Sequence, residues 1–452
     1  MIVTYSNIKP ILPYQSVMLF TFSAATSITW SSSSIPKLMN NETSSFGRPI
    51  TVEESAWITS SLTLGSTIGT SICCYLASSI GRKPTLLSIG FISMFSNLLI
   101  AFCNLIEIFY LARFLSGIAV TGSLFIVSIY LSEVVHKTKR TLQLSLLSIS
   151  VCSGMLFSNI VGLFVTITTL NVIVAVISFF FLVLFKLFGE ESKCFIKANE
   201  KLSGKKVVVE KEIELKHVEE LFINIPSVNK REEKVNLFTV YKSKVLRKAF
   251  IIVNTLLILQ QLTGIDVVLY YGVQLTENFS STIKPEISVI ILGVFHLLSS
   301  FILPVIGPKF NNKTLLLVSA IGMFTSQLLL TYLSYLQTLY SFSVYLNVLS
   351  LIILICYIIS YNSGFGPLPF LFIGEMFPKN VKLLSTGITG TIFWGIAFVI
   401  TKNFYGIICL IGFHGYLLFC SFCCFLGIIF SKYYLIETKN KTLEEIQLEL
   451  DK

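Results

Sequence analysis

Residues 169–188 read TLNVIVAVISFFFLVLFKLF, a run of 20 positions whose one charge is Lys186. A helix needs about 20 apolar residues to cross the ~30 Å hydrocarbon core of a bilayer. Similar runs fill most of the 452-residue chain, which is 54% hydrophobic and 13% charged. A soluble domain has about 25% charged residues. The composition argues against a soluble enzyme, a disordered protein or a secreted disulfide scaffold, and it predicts a chain whose solvent is mostly lipid.

Twelve runs have the length and hydrophobicity of membrane-spanning helices. They lie at 14–36, 57–79, 84–104, 106–131, 142–165, 169–188, 249–272, 286–306, 314–336, 342–373, 383–404 and 408–431. Residues 189–248 interrupt the series with fourteen of the 34 Lys/Arg and ten of the 24 Asp/Glu. We predict an all-α membrane protein with twelve transmembrane helices in two six-helix bundles. The predicted divisions are an N-terminal bundle over 1–188, a charged cytoplasmic loop over 189–248, a C-terminal bundle over 249–431 and a cytoplasmic tail over 432–452.

The basic residues set the predicted orientation, because cytoplasmic loops of membrane proteins are enriched in Lys and Arg. With both termini in the cytoplasm, 29 of the 34 Lys/Arg lie on the inner side. The glycosylation sequons at Asn41 and Asn278 then both fall in outer loops, where N-linked glycans are attached. The sequence therefore predicts a multi-pass protein of the plasma membrane with cytoplasmic termini.

Signatures of other protein classes are missing from the sequence. The spans contain no nucleophile paired with a base, no His cluster with metal-ligand spacing and no glycine-rich phosphate loop. Nine of the ten cysteines lie in apolar stretches and are interpreted as packing residues. The uneven charge differs from the diffuse basic surface of a nucleic-acid binder. We therefore expect a monomeric, lipid-embedded protein that is not an enzyme and has no metal, cofactor or nucleic-acid partner.

The two predicted halves repeat one pattern of charges. The fourth span ends in Glu133-Val-Val-His-Lys-Thr-Lys-Arg140, and the tenth ends in Glu375-Met-Phe-Pro-Lys-Asn-Val-Lys382. The loop Gly81-Arg82-Lys83-Pro84 follows the second span, and Asn311-Asn312-Lys313-Thr314 follows the eighth. A parallel repeat is typical of a two-bundle transporter with its site between the halves near the bilayer midplane. A chance match among basic loops is the alternative.

Longer motifs occur in a fixed order along almost the whole chain. They include Trp30-Ser-Ser-Ser-Ser-Ile-Pro36, Arg113-Phe-Leu-Ser-Gly117, Gln260-Gln261-Leu-Thr-Gly264-Ile-Asp266-Val-Val-Leu-Tyr270-Tyr271 and Gly364-Phe-Gly366-Pro367-Leu-Pro369-Phe370. In this order the chain resembles the sugar porters of the major facilitator superfamily, and most of all the insect facilitated trehalose transporters. The resemblance implies the major facilitator fold and a sugar substrate.

A sugar bound inside a membrane needs side chains that both donate and accept hydrogen bonds, together with aromatic rings that cover its apolar faces. Gln260 and Gln261 are adjacent amides within an apolar span. Polar groups there are costly, which favours a functional interpretation. The alternative is hydrogen bonding between helices. The resemblance implies that both glutamines contact the sugar.

The resemblance implies further site residues, several of which depart from the family pattern. Asp266 stands where the family usually has Asn, so that an acceptor or a neutral acid replaces an amide. His296 lies at or next to a family Asn that contacts sugar, or is a packing histidine; we hypothesise that it pairs with Asp266. Trp394 matches a family tryptophan that stacks on sugar, with simple packing as the alternative. Phe370 replaces a family tryptophan, and Ser148 replaces a glutamine that reaches the sugar.

The resemblance also implies gates at the two ends of the site. Tyr270 and Tyr271 resemble the family's outer gate. Charged inner-loop residues pair in the family and hold the outward-facing state together; the candidates here are Arg82, Glu133, Arg140, Glu375 and Lys382. Lys cannot form the two-pronged contact of Arg, and Asn311-Asn312 replaces a Gly-Arg pair. We therefore expect a weaker inner latch and a population shifted toward the inward-facing state.

We expect a facilitative transporter of trehalose or a hexose that works by alternating access. Family members that couple transport to protons have an acid in the first span, and residues 14–36 contain none. Asp266 keeps a proton-coupled sugar symporter open as an alternative. The departures from the family motifs keep open a diverged sugar sensor with little transport.

Overall fold

The computed structural model describes residues 12–134, 140–192, 195–196, 243–277, 283–339, 344–439, 441 and 443–451. Within these ranges the regular secondary structure is helical throughout. Most of the charged loop and the sequon at Asn278 lie outside the described residues.

The helices follow the predicted series. The first half contains α1 Leu12–Met39, α2 Val52–Ser79, α3 Arg82–Phe102, α4 Ile106–Val134, α5 Arg140–Phe164 and α6 Ile167–Phe188. In the second half α7 has three segments, Lys244–Leu262, Ile265–Tyr270 and Gly272–Glu277, followed by α8 Pro285–Ile306 and α9 Asn312–Leu339. Next come α10, with segments Val344–Ser360, Tyr361–Phe365 and Leu368–Met376, then α11 at 379–411, α12 at 413–433 and a short α13 Leu443–Asp451.

Nine helices in the described ranges are long and apolar enough to cross a membrane, and the last of them, Val381–Tyr433, turns at Gly412 and holds both α11 and α12. The 28-residue helices α1 and α2 complete the twelve. These two are less apolar because Ser and Thr residues, among them Ser55, Thr59 and Thr63, lie on the buried side of α2. The predicted all-α membrane fold is therefore confirmed.

Helix α6 has one face packed into the protein and one apolar face exposed on the surface. Phe181 and Phe185 are fully buried, and the Phe181 ring stacks on Phe20 of α1 with the ring centroids 4.6 Å apart. On the opposite face, Phe179 and Phe180 are each more than half exposed. A soluble protein rarely exposes a continuous apolar face of this kind, so the exposed side of α6 requires a hydrocarbon environment.

The start of α2 is fixed by a capping box, on the side of the bundle that the charge bias predicts to be outer; the opposite side is the predicted inner one. The Thr51 hydroxyl accepts from the backbone N–H of Glu54, and the Glu54 carboxylate accepts from the backbone N–H of Thr51. The Arg48 guanidinium also binds this carboxylate and lowers the pKa of Glu54 to about 2. A lowered carboxyl pKa stabilises the fold above the unfolded pKa, and this contribution is lost as the pH falls toward 2.

In each half, a carboxylate that follows the sixth helix caps the start of the third helix. The Glu191 carboxylate, just after α6, accepts from the backbone N–H groups of Arg82 (2.9 Å) and Lys83 (3.0 Å) at the start of α3. The Glu437 carboxylate, just after α12, accepts from Asn312 (3.3 Å) and Lys313 (3.1 Å) at the start of α9. Helix N-termini carry free N–H groups and a partial positive charge, which a carboxylate satisfies. The internal repeat therefore extends to atomic contacts.

The halves meet along α2 and α11. The Thr63 and Thr401 hydroxyls lie 3.2 Å apart, and those of Ser71 and Thr391 lie 2.8 Å apart. The Thr391 hydroxyl also donates to the Thr67 carbonyl. This polar seam brings α11 beside the first half and aligns its middle with the break in α7.

Replacing either capping carboxylate is expected to lower stability. Glu191→Ala and Glu437→Ala each leave two helix N–H groups without their acceptor, which costs about 1–2 kcal/mol. Thermal unfolding of the purified protein in detergent measures the loss. Glu190→Ala is the matched control, because the exposed Glu190 directly precedes Glu191 and the N–H groups of Arg82 and Lys83 donate to Glu191. Equal melting temperatures for Glu191→Ala and Glu190→Ala would contradict the capping role.

Candidate functional site

The candidate site is built around a break in α7. The helix stops at Leu262 and resumes at Ile265, and between them Gly264 has φ +91°, a left-handed conformation that favours glycine. Gln260 and Gln261 lie immediately before the break and Asp266 immediately after it. All three side chains are buried. The predicted glutamines and the acid are therefore brought to one level of the bundle.

The two glutamines contact different neighbours in the second half. The Gln260 amide N–H donates to the Tyr361 hydroxyl (2.8 Å) and the Gly366 carbonyl (2.9 Å) of α10. The Gln261 amide donates to the Phe393 carbonyl of α11 at 3.4 Å. Gln260 is thereby oriented through its nitrogen, while its side-chain oxygen is buried and has no hydrogen-bond partner among the described residues. That oxygen can accept a hydrogen bond from a hydroxyl group of a ligand.

Aromatic rings line the region beside the glutamines. Phe370 of α10 contacts Phe393 with the ring centroids 5.3 Å apart, and Phe393 contacts Trp394 at 5.2 Å. Phe370 also reaches Phe125 of α4 at 5.7 Å, which links the two halves. The Trp394 indole N–H is buried and has no acceptor within the described part of the chain. The rings offer apolar faces, and the indole offers a free donor.

Asp266 and His296 are both buried, but the structure does not join them. No hydrogen bond or ion pair links the two side chains in the described residues. The Asp266 Oδ2 atom has no hydrogen-bond partner there. The His296 carbonyl instead accepts from the Asn362 amide at 3.1 Å. The hypothesised pair is therefore not formed in this structure, and Asp266 is a buried acid without a described counterion.

Ser148 of α5 is half-buried.

At the outer end, the Tyr271 hydroxyl donates to the Thr401 carbonyl at 2.9 Å, and its ring stacks on Phe404. Tyr270 is fully buried one turn after Asp266. Tyr271 thus fixes the outer part of α7 against α11.

Outer contacts also join the two halves directly. The Ser32 hydroxyl of α1 accepts from the backbone N–H of Val273 in α7 at 3.3 Å. The Lys402 ammonium of α11 lies 4.1 Å from the centroid of the Trp57 ring in α2. The outer ends of the halves are therefore in contact in this structure.

On the inner side, Arg82 forms a two-pronged ion pair with Glu133. Its Nε and Nη2 atoms lie 2.9 and 2.8 Å from the two carboxylate oxygens, and Nη1 donates to the Ala77 carbonyl. Arg82 is 8% exposed. These bonds tie the inner ends of α2, α3 and α4 together. The Arg140 side chain lies outside the described residues.

In the second half, the position that corresponds to Arg82 forms a neutral hydrogen bond. Asn312, at the position of Arg82 in the repeat, donates through its amide to the Thr438 hydroxyl at 3.2 Å. One oxygen of Glu375 is buried and has no described hydrogen-bond partner, and Lys382 is half-buried. The short Asn312 side chain thus contacts the segment after α12 in place of forming an ion pair.

Sequence reasoning missed a buried charge in the first half. Arg113 is fully buried and donates to the Ser27 carbonyl (2.8 Å), the Ser31 hydroxyl (2.9 Å) and the Ile58 carbonyl (3.3 Å). Its guanidinium lies 4.8 Å from the Trp30 ring centroid. An arginine within an apolar span is itself a signal of a structural or functional role. In the sequence Arg113 is recognised only as the first residue of the motif Arg113-Phe-Leu-Ser-Gly117.

Comparison with known proteins gives the same architecture. Residues 18–450 match the family described as Sugar (and other) transporter. The facilitated trehalose transporter Tret1 of Polypedilum vanderplanki is 28% identical over 431 residues, which cover 92% of this chain and 83% of that protein. Tret1 of Bombyx mori is 27% identical over 410 residues, covering 89% and 80%.

Solved structures of the same fold have low sequence identity. The partially occluded inward-open xylose transporter of E. coli has a TM-score of 0.72 and 17% identity, covering 96% of this chain and 99% of its own. The proton:xylose symporter bound to 6-bromo-6-deoxy-D-glucose has a TM-score of 0.73 and 16% identity, covering 99% and 100%. From the match over residues 18–450, the chain belongs to the Sugar (and other) transporter family.

Proposed function

We propose that the protein carries trehalose or a hexose across the membrane by alternating access. The observation that carries the proposal is the free hydrogen-bonding capacity beside the α7 break, an acceptor on Gln260 and a donor on Trp394. Buried polar atoms normally have partners, and sugar hydroxyls can both donate and accept. The rings of Phe370 and Phe393 supply apolar faces for the sugar ring.

The choice of sugar rests on the relatives. The insect relatives are named facilitated trehalose transporters and share 26–29% identity with this chain. Ser148 is shorter than the glutamine that we expect in the family, which leaves room for a disaccharide. These points support trehalose first and a hexose second.

Facilitative transport is the favoured mechanism. Residues 14–36 contain no acid, and the three hydrogen-bond partners of the Arg113 guanidinium are neutral groups of α1 and α2. Asp266 supports proton-coupled symport as a second candidate, because its Oδ2 atom is buried and unpartnered. A carboxyl group in such a place can take up or release a proton when the site opens to water.

We further propose that the inner charges act as a latch and that the protein lies in the plasma membrane with cytoplasmic termini. The Arg82–Glu133 ion pair supports the latch in the first half, and the Asn312 contact supports a weaker latch in the second. Asn41 is exposed just after α1, as expected for a glycosylated outer loop.

Uptake into proteoliposomes tests the carrier directly. The wild type is expected to take up radiolabelled trehalose or glucose with saturable kinetics, and Gln260→Ala/Gln261→Ala is expected to reduce uptake about tenfold or more, since each lost amide contact costs about 1 kcal/mol. Gln337→Ala, in α9, serves as the matched control. Wild-type uptake no higher than that of the double variant contradicts the carrier, and sugar binding without uptake indicates a sensor.

Asp266→Asn separates the two mechanisms. A facilitative carrier equilibrates sugar and does not concentrate it when the vesicle interior is made alkaline, whereas a symporter does. If Asp266 takes part in coupling, uptake measured from pH 5.5 to 7.5 depends on pH in the wild type and is flat in Asp266→Asn. Concentration of sugar by the wild type, abolished in the variant, would overturn the facilitative mechanism. Identical pH profiles for the two proteins exclude a coupling role for Asp266.

The latch predicts a change in accessibility at the inner side. Arg82→Lys removes the two-pronged contact, so a cysteine at Ser71, between the halves, is expected to react several-fold faster with an impermeant maleimide from the inner face. Lys83→Arg is the control, because the Lys83 ammonium contacts the Lys186 carbonyl and not Glu133. Equal labelling rates for Arg82→Lys and Lys83→Arg would contradict the latch.

A further inference from the structure

The break in α7 leaves a backbone carbonyl in need of partners. In an unbroken helix the Thr263 carbonyl accepts from the N–H four residues later. Here the left-handed Gly264 turns the chain, and the next backbone hydrogen bond across the break runs from Val268 to the Gly264 carbonyl at 3.4 Å. A buried carbonyl without a donor is costly inside a membrane, so the break needs donors from elsewhere.

Two side chains from two other helices converge on this carbonyl. Gln327 of α9 donates through its amide to the Thr263 carbonyl at 3.1 Å. Tyr357 of α10 donates through its hydroxyl to the same carbonyl at 3.0 Å, and that hydroxyl lies 3.3 Å from the Thr263 hydroxyl. Gln327 is 2% exposed and Tyr357 is fully buried. The donors and the carbonyl thus all belong to the second half.

The clamped residue is bonded in turn to the candidate site. The Thr263 hydroxyl donates to the Gln260 carbonyl at 2.6 Å, and the Thr263 backbone N–H reaches the same carbonyl at 3.3 Å. The Gly264 N–H reaches the Gln261 carbonyl at 3.5 Å. Movement of Thr263 therefore rotates the last turn that carries both glutamines, and it also moves Asp266 on the other side of the break.

We propose that Gln327 and Tyr357 are positioning residues that hold the α7 break, and with it Gln260 and Gln261, in the geometry that binds sugar. The inference rests on the proposed sugar carrier and adds two residues to it. Neither side chain has to touch the sugar, because each acts through Thr263. Binding groups need placement to within about 0.5 Å, and a supporting layer of hydrogen bonds provides it.

Sugar affinity separates a positioning role from a role in folding alone. Tyr357→Phe removes only the hydroxyl and keeps the buried ring, and Gln327→Leu removes the amide donor. The matched control is Gln337→Leu in the same helix, because the Gln337 amide donates to the side chain of Asn347 and not to the break. Labelled trehalose and glucose are bound to each purified full-length variant, and the dissociation constant is measured only on protein that elutes as a single folded species.

Tyr357→Phe/Gln327→Leu is expected to weaken sugar binding about tenfold, as lost hydrogen bonds to a shared acceptor do, and the control is expected to bind as the wild type. In a Gln260→Ala background the same pair is expected to cost several-fold less than in the wild type, because only Gln261 then remains to be positioned and coupled residues are not additive. Tyr357→Phe alone keeps the test valid if Gln327→Leu does not fold.

Two results would overturn the positioning role. One is an unchanged dissociation constant in folded Tyr357→Phe and in the folded double variant. The other is a loss that adds in full to that of Gln260→Ala. If the wild type binds neither sugar, the proposed carrier is refuted, and the positioning role falls with it. This outcome differs from the two above because it is seen in the wild type alone, without any variant.

Discussion

The structure depends on one constraint: hydrocarbon offers no hydrogen bonds, so each polar group in a span must find its partner within the protein. Arg113 meets this constraint with two carbonyls and a hydroxyl. The broken helix α7 meets it at Thr263 with donors from α9 and α10. Several buried polar atoms in the spans have no described partner, and those of Gln260 and Asp266 are distinguished by their place on either side of a break whose backbone carbonyl is satisfied. A ligand with hydroxyl groups can supply the hydrogen bonds that these side chains lack.

The repeat explains how each half is held together, and the two halves differ in the side chains at the repeated positions. Glu191 and Glu437 cap corresponding helices with the same pattern of two N–H contacts. The side chains at the capped positions have diverged, since Arg82 reaches Glu133 while Asn312 reaches Thr438. The shared caps keep each half rigid, and the unequal side chains give the first half an ion pair where the second has a neutral contact. Each of these contacts lies within one half, so a rigid-body motion between the halves keeps them and breaks contacts across the seam, such as the one between Ser71 and Thr391.

Much of this fold could be predicted from the sequence, because the length of an apolar run fixes whether a helix can cross a bilayer. The predicted run at 169–188 and the helix Ile167–Phe188 differ by two residues at one end. The glutamines were recognised because polar residues in such runs are rare. Their supports were not, because Gln327 and Tyr357 lie 64 and 94 residues from Thr263 and meet it only through tertiary packing. For the same reason the hypothesised Asp266–His296 pair could not be judged from residue types, and Arg113 could not be assigned its neutral partners.

Two buried ionisable groups, one in each half, respond differently to the motion that a carrier requires. The hydrogen-bond partners of Arg113 all belong to α1 and α2 in its own half, so a rigid-body motion between the halves leaves these three bonds intact. Asp266 has an oxygen with no described partner, and its hydration depends on whether the site is open to water. Desolvation disfavours a carboxylate, whereas water stabilises it. Opening the site to water therefore changes the hydration of Asp266 and keeps the hydrogen bonds of Arg113. An amide at this position cannot exchange a proton, so the Asp266 carboxyl is a group of the candidate site that can respond to protons as the site opens.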